Sequence, residues 1–291
     1  MFFKRIFAIH KAAILTLGIS FGALAGCQTD TLPEIEVADT SLPKSATQGP
    51  PSKPIFENSV VSNDIDFIKT GDPAVNYCIA FERKGTAEMP DKRGGELMAS
   101  GVSMFEARFA DGTKVGFWAH PDLGSQQSAQ TYVNHVARAV SHLPSKMRKT
   151  LSHVVLHHGN ESAFAEEAGH FFVLYHQNID TRLRNHDLEE TVFHESVHAT
   201  LDDRWSASKT WQTAQAADNG YITNYARSKP NGEDMAESAL FAYAELITPG
   251  RLPSNVSTKV RQIMPNRLAF FEKLFGSMQP LHQKMGSARK C

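Results

Sequence analysis

The sequence predicts an α+β fold in which strands come first and helices follow. Three observations support this prediction. Residues 65–120 alternate between short apolar stretches and turn residues, two short apolar runs then read as buried strands, and helical spacing dominates after residue 187. We expect one continuous domain over residues 55–291, with an N-terminal α/β part at 55–150 and a second part at 151–291.

The N-terminal part is predicted to be mainly β. Its clearest strands are residues 104–109 and 114–118, and Asp111-Gly112 between them is a strong signal for a hairpin turn. A helix is predicted over residues 125–141, because apolar residues recur there at helical spacing. A shorter helix is expected to begin at Pro144.

The second part is predicted to combine a small sheet with a central helix and C-terminal helices. The apolar runs at 154–156 and 171–175 read as buried strands. Everything after them reads as helical, and Pro265 is well placed as a first helical residue. The predicted helices cover residues 187–203, 207–217, 232–247, 254–263 and 265–275.

The N-terminus reads as an export signal. A positively charged start precedes an apolar run over residues 12–25, which is too short to span a bilayer. The run ends in Leu-Ala-Gly-Cys at positions 24–27, which resembles the lipobox of bacterial lipoprotein precursors. The resemblance implies removal of residues 1–26 as a signal peptide and lipidation of Cys27. The alternative is an ordinary signal peptide in which the cysteine is accidental.

Lipid on Cys27 would anchor the protein in the cell envelope. By resemblance to lipoprotein sorting in enteric bacteria, Gln28 implies the periplasmic face of the outer membrane. Residues 27–54 are rich in Ser, Thr, Pro and Asp, so we expect a flexible tether there. Cys78 and Cys291 either pair in an oxidising envelope or stay as free thiols, because spacing alone does not establish proximity.

The charge balance argues against a nucleic-acid partner. Lys and Arg total 30 against 31 Asp and Glu, which gives a formal net charge of -1. A chain with this balance offers no basic field to neutralise a phosphate backbone. We therefore expect no nucleic acid among the partners.

One predicted helix carries the pattern that indicates chemistry. His194 and His198 are four residues apart, which places both imidazoles on one helix face. They can therefore offer ring nitrogens to one tetrahedral metal ion, and Glu195 lies one step round the helix. At the start of the helix, Asp187 and Glu190 resemble a capping box.

This arrangement resembles the H-E-x-x-H motif of zinc peptidases, in which the glutamate handles protons for the reaction. A catalytic zinc site needs a third protein ligand and one open position. In metzincins the third ligand is a histidine six residues after the second, with a glycine midway, but Arg204 and Leu201 occupy those positions here. The only later histidine, His282, lies in a polar tail. A carboxylate is therefore expected as the third ligand.

Glu233 and Glu237 lie four residues apart on a later predicted helix, and this spacing resembles the gluzincin pattern E-x-x-x-[DE]. The run Glu-Asp-x-Ala-Glu also resembles the lethal-factor-like branch of that clan. The resemblance implies a zincin-like catalytic part in which one Zn²⁺ is held by His194, His198 and Glu233. It further implies that Glu237 accepts a hydrogen bond from a ligand imidazole. Asp234 is expected at the surface.

Other residues near the motif have alternative roles. Lethal-factor-like enzymes place a tyrosine near the position of Tyr225, which implies that its hydroxyl stabilises the oxyanion. The interval holds one extra residue here, so Tyr221 is the alternative. Asp202 resembles an acid of thermolysin-type sequences and either orients the helix or is a plain C-terminal helix acid. A narrower alternative is an aspzincin-like site with Asp218 as third ligand, but the Gly-Thr-x-Asp signature is missing.

The resemblance implies a hydrolase of peptide bonds, a zinc metalloprotease that acts on a peptide or protein with Glu195 as general base. In gluzincins the strand ahead of the zinc helix binds extended substrate by main-chain pairing, and either apolar run could play that part. The alternative is a zinc-binding envelope lipoprotein that acts as a scaffold or adaptor. The retained Glu195 argues against it, because metal binding alone needs no general base.

The remaining aromatic and imidazole side chains near the motif read as structural. Trp205 and Trp211 are expected to pack in the core. A group of histidines ahead of the central helix matches no metal-ligand spacing and is expected at strand ends and in loops. These are His153, His157, His158, His170, His176 and His186.

Overall fold

The structure, a computed structural model, describes residues 51–282 and Cys291. The proposed signal peptide, the proposed lipidation site Cys27 and nearly all of the tether at 27–54 lie outside the described residues. No helix within the described ranges is long and apolar enough to cross a membrane. The described chain has the predicted α+β architecture, with most strands ahead of most helices.

In the described part of the chain, six strands form one mixed sheet: β1 (Tyr77–Glu88), β2 (Met98–Phe109), β3 (Lys114–Ala119), β4 (His153–His157), β5 (Phe164–Glu166) and β6 (Phe171–Tyr175). Their order in the sheet is β1-β2-β3-β4-β6-β5. β2 runs antiparallel to its two neighbours, β1 and β3. β4 lies parallel to β3, β6 lies parallel to β4, and β5 runs antiparallel to β6 at the edge. The two edge strands are therefore β1 and β5.

The predicted strands are confirmed. Residues 104–109 and 114–118 lie in β2 and β3, and the two apolar runs form β4 and β6. The predicted hairpin turn is also present. Gly112 adopts a φ of 86°, and the Asp111 carboxylate accepts a hydrogen bond from the Thr113 N–H at 3.0 Å.

The helices are α1 (Gln126–Ser141), α2 (Ser145–Thr150), α3 (His176–Asn185), α4 (Leu188–Val197), α5 (Asp203–Trp205), α6 (Lys209–Ala217), α7 (Asn224–Ser228), α8 (Asp234–Leu246), α9 (Ser254–Ile263) and α10 (Pro265–Ser277). Except for the central helix, the predicted helices are present with small differences at their ends. The sequence did not predict α3 or α7, which are polar and short.

The central helix is interrupted, whereas the sequence predicted one continuous helix over 187–203. A π-helical turn, His198–Asp202, separates α4 from α5. Within it the Thr200 hydroxyl donates to the Ser196 carbonyl at 2.5 Å. A back-bond of this kind distorts a helix, and π-helical turns are frequent at functional sites.

The predicted capping box at the start of α4 is wrong. Asp187 is the residue ahead of the helix, but its carboxylate pairs with Arg182 at 2.8 Å instead of capping the helix. The Glu190 carboxylate turns away and accepts a hydrogen bond from the Ile68 N–H at 3.0 Å. A residue of the preceding helix and a residue 122 positions away therefore replace the partners that the motif implies.

Packing fixes α4 in the centre of the molecule. All ten of its residues are buried. Phe193 packs against Tyr243 of α8, with ring centroids 5.2 Å apart, and α1 lies on another side of α4 with Val133 and Val136 fully buried. A helix enclosed in this way holds its side chains in defined positions.

The C-terminal helices complete the core, with α10 packed against α6 and α8. Trp205 and Trp211 are buried and meet the Phe270 ring of α10 edge-on, at centroid distances of 5.8 Å and 5.2 Å. Their expected role in packing is confirmed. Cys78 of β1 and Cys291 form a disulfide, so the structure pairs the two cysteines whose pairing the sequence left open.

Candidate metal centre

The ends of two packed helices bring the candidate ligands together. His194 lies in the last turn of α4, His198 begins the π-helical turn, and Glu233 is the residue just ahead of α8. The three donor atoms point at one another. His194 Nε2 and His198 Nε2 are 3.2 Å apart. Glu233 Oε2 lies 3.4 Å from the first nitrogen and 3.3 Å from the second.

These distances fit a zinc site. Zinc bonds of about 2.0–2.1 Å at tetrahedral angles place ligand atoms about 3.3–3.4 Å apart. Two imidazole nitrogens and one carboxylate oxygen are also a donor set that zinc prefers. Among the described residues, His194, His198 and Glu233 form the group of three metal-binding side chains with donor atoms close enough to share an ion.

Asp202 orients one of the candidate ligands. Its Oδ2 lies 2.6 Å from His198 Nδ1, and the carboxylate is almost fully buried. A carboxylate at this distance accepts the N–H of that nitrogen, which leaves Nε2 with the lone pair that a metal needs. Of the two roles left open for Asp202, the structure therefore supports the orienting one.

Glu237 lies beside the other ligand but does not form the expected hydrogen bond. Its Oε1 is 3.7 Å from His194 Nδ1, which is beyond hydrogen-bond distance. The Glu237 carboxylate is fully buried and instead accepts hydrogen bonds from Ser59, Val60 and Thr223. Glu237 therefore lies beside His194, but its hydrogen-bond donors come from other parts of the chain.

A cavity of about 300 Å³ opens onto the donor atoms. Glu195 borders it beside the two histidines, with 8% of its surface exposed. The site can therefore admit a substrate next to both a bound ion and a carboxylate. The other lining residues include Lys92, Glu167, Tyr225, Lys229 and residues 163–165.

The side chains of the site shift one another's pKa values. Burial raises the pKa of Glu195, and the two histidines beside it lower that pKa only in part. Burial also acts to raise the pKa of Glu233, but the neighbouring His194 and His198 imidazoles and the Tyr225 hydroxyl hold that pKa well below its usual range in the metal-free protein. Glu233 is therefore ionised, as a metal ligand must be. Glu195 is more basic than an ordinary glutamate, which suits a general base.

Tyr225 belongs to the site and Tyr221 does not. The Tyr225 hydroxyl donates to Glu233 Oε1 at 2.7 Å and accepts a hydrogen bond from Lys229 Nζ at 3.1 Å. Burial raises the pKa of Tyr225, and the bond to Glu233 raises it further, well above its usual range. The hydroxyl therefore keeps its proton. Tyr221 instead lies under the Arg267 guanidinium, 5.4 Å from the ring centroid.

Two acids near the motif serve the fold. Asp234, expected at the surface, is fully buried and pairs with Arg267. Asp218, the alternative third ligand, accepts from the same guanidinium, with 2.8 Å between Arg267 Nε and Oδ2. Burying a carboxylate requires a partner of this kind. The structure therefore does not bring Asp218 to the donor atoms, and the prediction for Asp234 was wrong.

The strand nearest the cavity is not one of the two apolar runs. β4 and β6 both have neighbours on each side in the sheet, whereas β5 is an edge strand and its residues line the cavity. The short sequence Phe164–Glu166 carries no strong strand signal, which is why the sequence did not identify it.

Lys92 is a site residue that no local pattern indicates. It lies in the loop between β1 and β2, and its Nζ donates to the Ser162 hydroxyl and the Ala163 carbonyl, each at 2.8 Å. These bonds attach the loop to the start of β5. Its position depends on contacts 70 residues apart in the chain, so sequence spacing could not reveal it.

The histidines ahead of α4 have structural partners. His153 stacks between the rings of Trp118 and Phe171, at centroid distances of 3.6 Å and 4.5 Å. His157 bonds the Pro90 carbonyl at 3.1 Å. His153 and His157 are the first and last residues of β4, as expected for strand ends, whereas His176 begins α3.

Comparison of the chain with protein-family models, with curated proteins and with solved structures found no match.

Proposed function

We propose that this protein is a zinc-dependent metallopeptidase, a hydrolase of peptide bonds. The observation that carries the proposal is the convergence of His194, His198 and Glu233 at distances that fit zinc, with Glu195 at the same cavity. A metal site that served only structure would be closed by a fourth protein ligand and would need no carboxylate beside an open cavity.

When bound, the zinc ion supplies a Lewis acid that polarises a peptide carbonyl and makes water acidic enough to lose a proton near neutral pH. Glu195 accepts the proton of the attacking water and later delivers it to the leaving amine. We assign the Tyr225 hydroxyl as the donor to the oxyanion, because it keeps its proton and borders the cavity. To donate there, it must exchange its hydrogen bond with Glu233 Oε1 for one with the substrate. Asp202 holds the His198 imidazole in place during these steps.

The substrate class that the cleft favours is an extended peptide or protein segment. β5 is an edge strand with one side unpaired in the sheet, and its residues line the cavity. An extended chain can add to such an edge through main-chain hydrogen bonds. We therefore assign the binding of extended substrate to β5, whereas the family resemblance implied one of the two apolar runs.

We place the enzyme in the cell envelope, anchored by lipid on Cys27 at the periplasmic face of the outer membrane. The Leu-Ala-Gly-Cys sequence at 24–27 supports the anchor, and the Cys78–Cys291 disulfide agrees with an oxidising compartment. In cells, Cys27→Ser should move the protein from the membrane fraction to the soluble fraction. Retention of the variant in the membrane fraction would refute the anchor.

Glu195→Gln tests the function, because the amide keeps the shape of the side chain but cannot accept the proton. We expect the full chain and the variant to bind about one zinc ion each, and only the parent to cleave an unstructured peptide library. Glu272→Gln, an exposed position on α10, is the matched control and should cleave like the parent.

Two other outcomes decide against the proposal. Zinc in all three proteins with no cleavage by any of them would favour the scaffold or adaptor alternative. A parent chain that binds no zinc would rule out the metal centre itself.

A further inference from the structure

An N-terminal segment that the motif does not include is docked against the metal centre. Residues 52–62, called the N-terminal arm below, pair with the chain just ahead of α7. The Ile55 N–H donates to the Ile222 carbonyl at 2.8 Å, and the Asn224 N–H donates to the Phe56 carbonyl at 2.9 Å. The Phe56 ring also stacks on Phe241 of α8, with centroids 5.6 Å apart. The arm is therefore fixed on the helix that carries Glu237.

The arm supplies two of the three hydrogen bonds that hold the buried Glu237 carboxylate. The Ser59 hydroxyl donates to Oε1 at 2.5 Å, and the Val60 N–H donates to Oε2 at 2.9 Å. The third donor is the Thr223 hydroxyl, at 2.7 Å from Oε2. Of these three donors, Ser59 is the one that bonds Oε1. Without the Ser59 hydroxyl, this fully buried oxygen would lose that hydrogen bond, which is costly away from water.

The same oxygen is the one that faces a metal ligand. Glu237 Oε1 lies 3.7 Å from His194 Nδ1, on the opposite side of the imidazole from the donor atom Nε2. That Nδ1 is buried and forms no hydrogen bond within the described residues. Ligand imidazoles are commonly oriented by a carboxylate at their second nitrogen. At 3.7 Å, Oε1 is a close neighbour of Nδ1 and not its hydrogen-bond acceptor, so a displaced Oε1 would change the surroundings of the imidazole. The hydrogen bond from Ser59 holds Oε1 in this place.

We propose that Ser59 is a positioning residue of the metal centre: it holds the Glu237 carboxylate beside the His194 imidazole and thereby raises the affinity of the site for its metal. This inference rests on the metal site of the proposed function, but it does not depend on peptide hydrolysis. It makes the N-terminal arm a part of the site, although the arm is far from the motif in sequence.

The experiment compares the zinc affinity of the full chain with three variants, measured by competition with a chromophoric chelator. Ser59→Ala removes the hydroxyl, and we expect about 10-fold weaker zinc binding, the low end for residues that orient a metal ligand. Ser59→Thr keeps a hydroxyl and should bind zinc like the parent. Ser62→Ala, at an exposed serine of the same arm, is the matched control and should also bind like the parent.

A second readout separates positioning from a general loss of structure. Co²⁺ bound in place of zinc has visible absorption bands that report ligand geometry. We expect Ser59→Ala to change these bands and Ser59→Thr to keep them. Urea unfolding of the metal-free proteins checks that the variants are folded in the assay.

Two results would overturn the inference. One is a Ser59→Ala variant that binds zinc as tightly as the parent. The other is an equal loss of affinity in Ser62→Ala, because this would assign the effect to the arm in general. Both differ from failure of the proposed function, in which the parent chain itself binds no zinc or cleaves no peptide.

Discussion

At the scale of single residues, two buried acids of the central helix differ in role because their hydrogen-bond partners differ. Asp202 lies 2.6 Å from His198 Nδ1 and orients that imidazole. Glu190, one turn ahead of His194 on the same helix, accepts a hydrogen bond from the Ile68 N–H and keeps one oxygen unbonded within the described residues. Asp202 therefore orients a candidate ligand, whereas burial of Glu190 disfavours its ionised form.

Asp202→Asn should weaken zinc binding by roughly 10-fold, because the amide keeps the size of the side chain but loses the charge that favours the ligand imidazole. Asp203→Asn, at the next position and exposed, is the matched control and should bind zinc like the parent. Chelator competition measures both. Equal affinity in the two variants would show that Asp202 does not orient the ligand.

Glu190 should make the stability of the metal-free protein depend on pH. Burial raises the pKa of Glu190 from 4.5 to about 8, and the hydrogen bond from Ile68 lowers it only in part. The folded state then keeps a proton that the unfolded state releases above pH 4.5. The contribution of Glu190 to stability is therefore fully present below pH 4.5 and is lost as the pH rises toward 8.

Glu190→Gln tests this dependence, because the amide carries no titrating proton and can still accept from Ile68. Its free energy of unfolding relative to the parent should increase between pH 5 and pH 8, by at most about 1.4 kcal/mol per pH unit. Urea unfolding at the two pH values gives both differences. The same difference at both values would contradict the raised pKa.

At the scale of elements, the start of α8 shows what sequence spacing can and cannot predict. Glu233 and Glu237 were identified because their spacing along one helix is a local property. Asp234 was misplaced because its partner, Arg267, lies 33 residues further along the chain on α10. The π-helical turn after α4 was missed for a related reason, since no local signal separates it from an ordinary helix.

Arg267→Met should cost about 3–5 kcal/mol of folding stability, because it leaves the buried carboxylates of Asp218 and Asp234 without their cation. Arg108→Met is the matched control. Its side chain is 40% exposed and pairs with Glu82, which is 43% exposed, so its loss should cost far less than the loss of Arg267. Urea unfolding compares the two. Similar losses in both variants would contradict a role of the buried network in holding α8 against α10.

At the scale of the whole molecule, the site is assembled from distant parts of the chain. The two histidines and Glu195 follow from a local pattern, and the sequence predicted them together with the fold class. The order of the strands, the edge position of β5 and the loop that carries Lys92 depend on tertiary packing. The hydrogen bond from Ser59 to Glu237 spans 178 positions, so no spacing rule could have identified it.

The proposed function and the role of Ser59 both depend on the metal centre. Anomalous diffraction at the zinc absorption edge, from crystals of the full chain grown with zinc, locates the ion directly. We expect one strong peak at about 2.0–2.2 Å from Nε2 of His194, Nε2 of His198 and the Glu233 carboxylate. A peak on the histidines ahead of α4, such as His158 and His176, or no peak at all, would contradict the account.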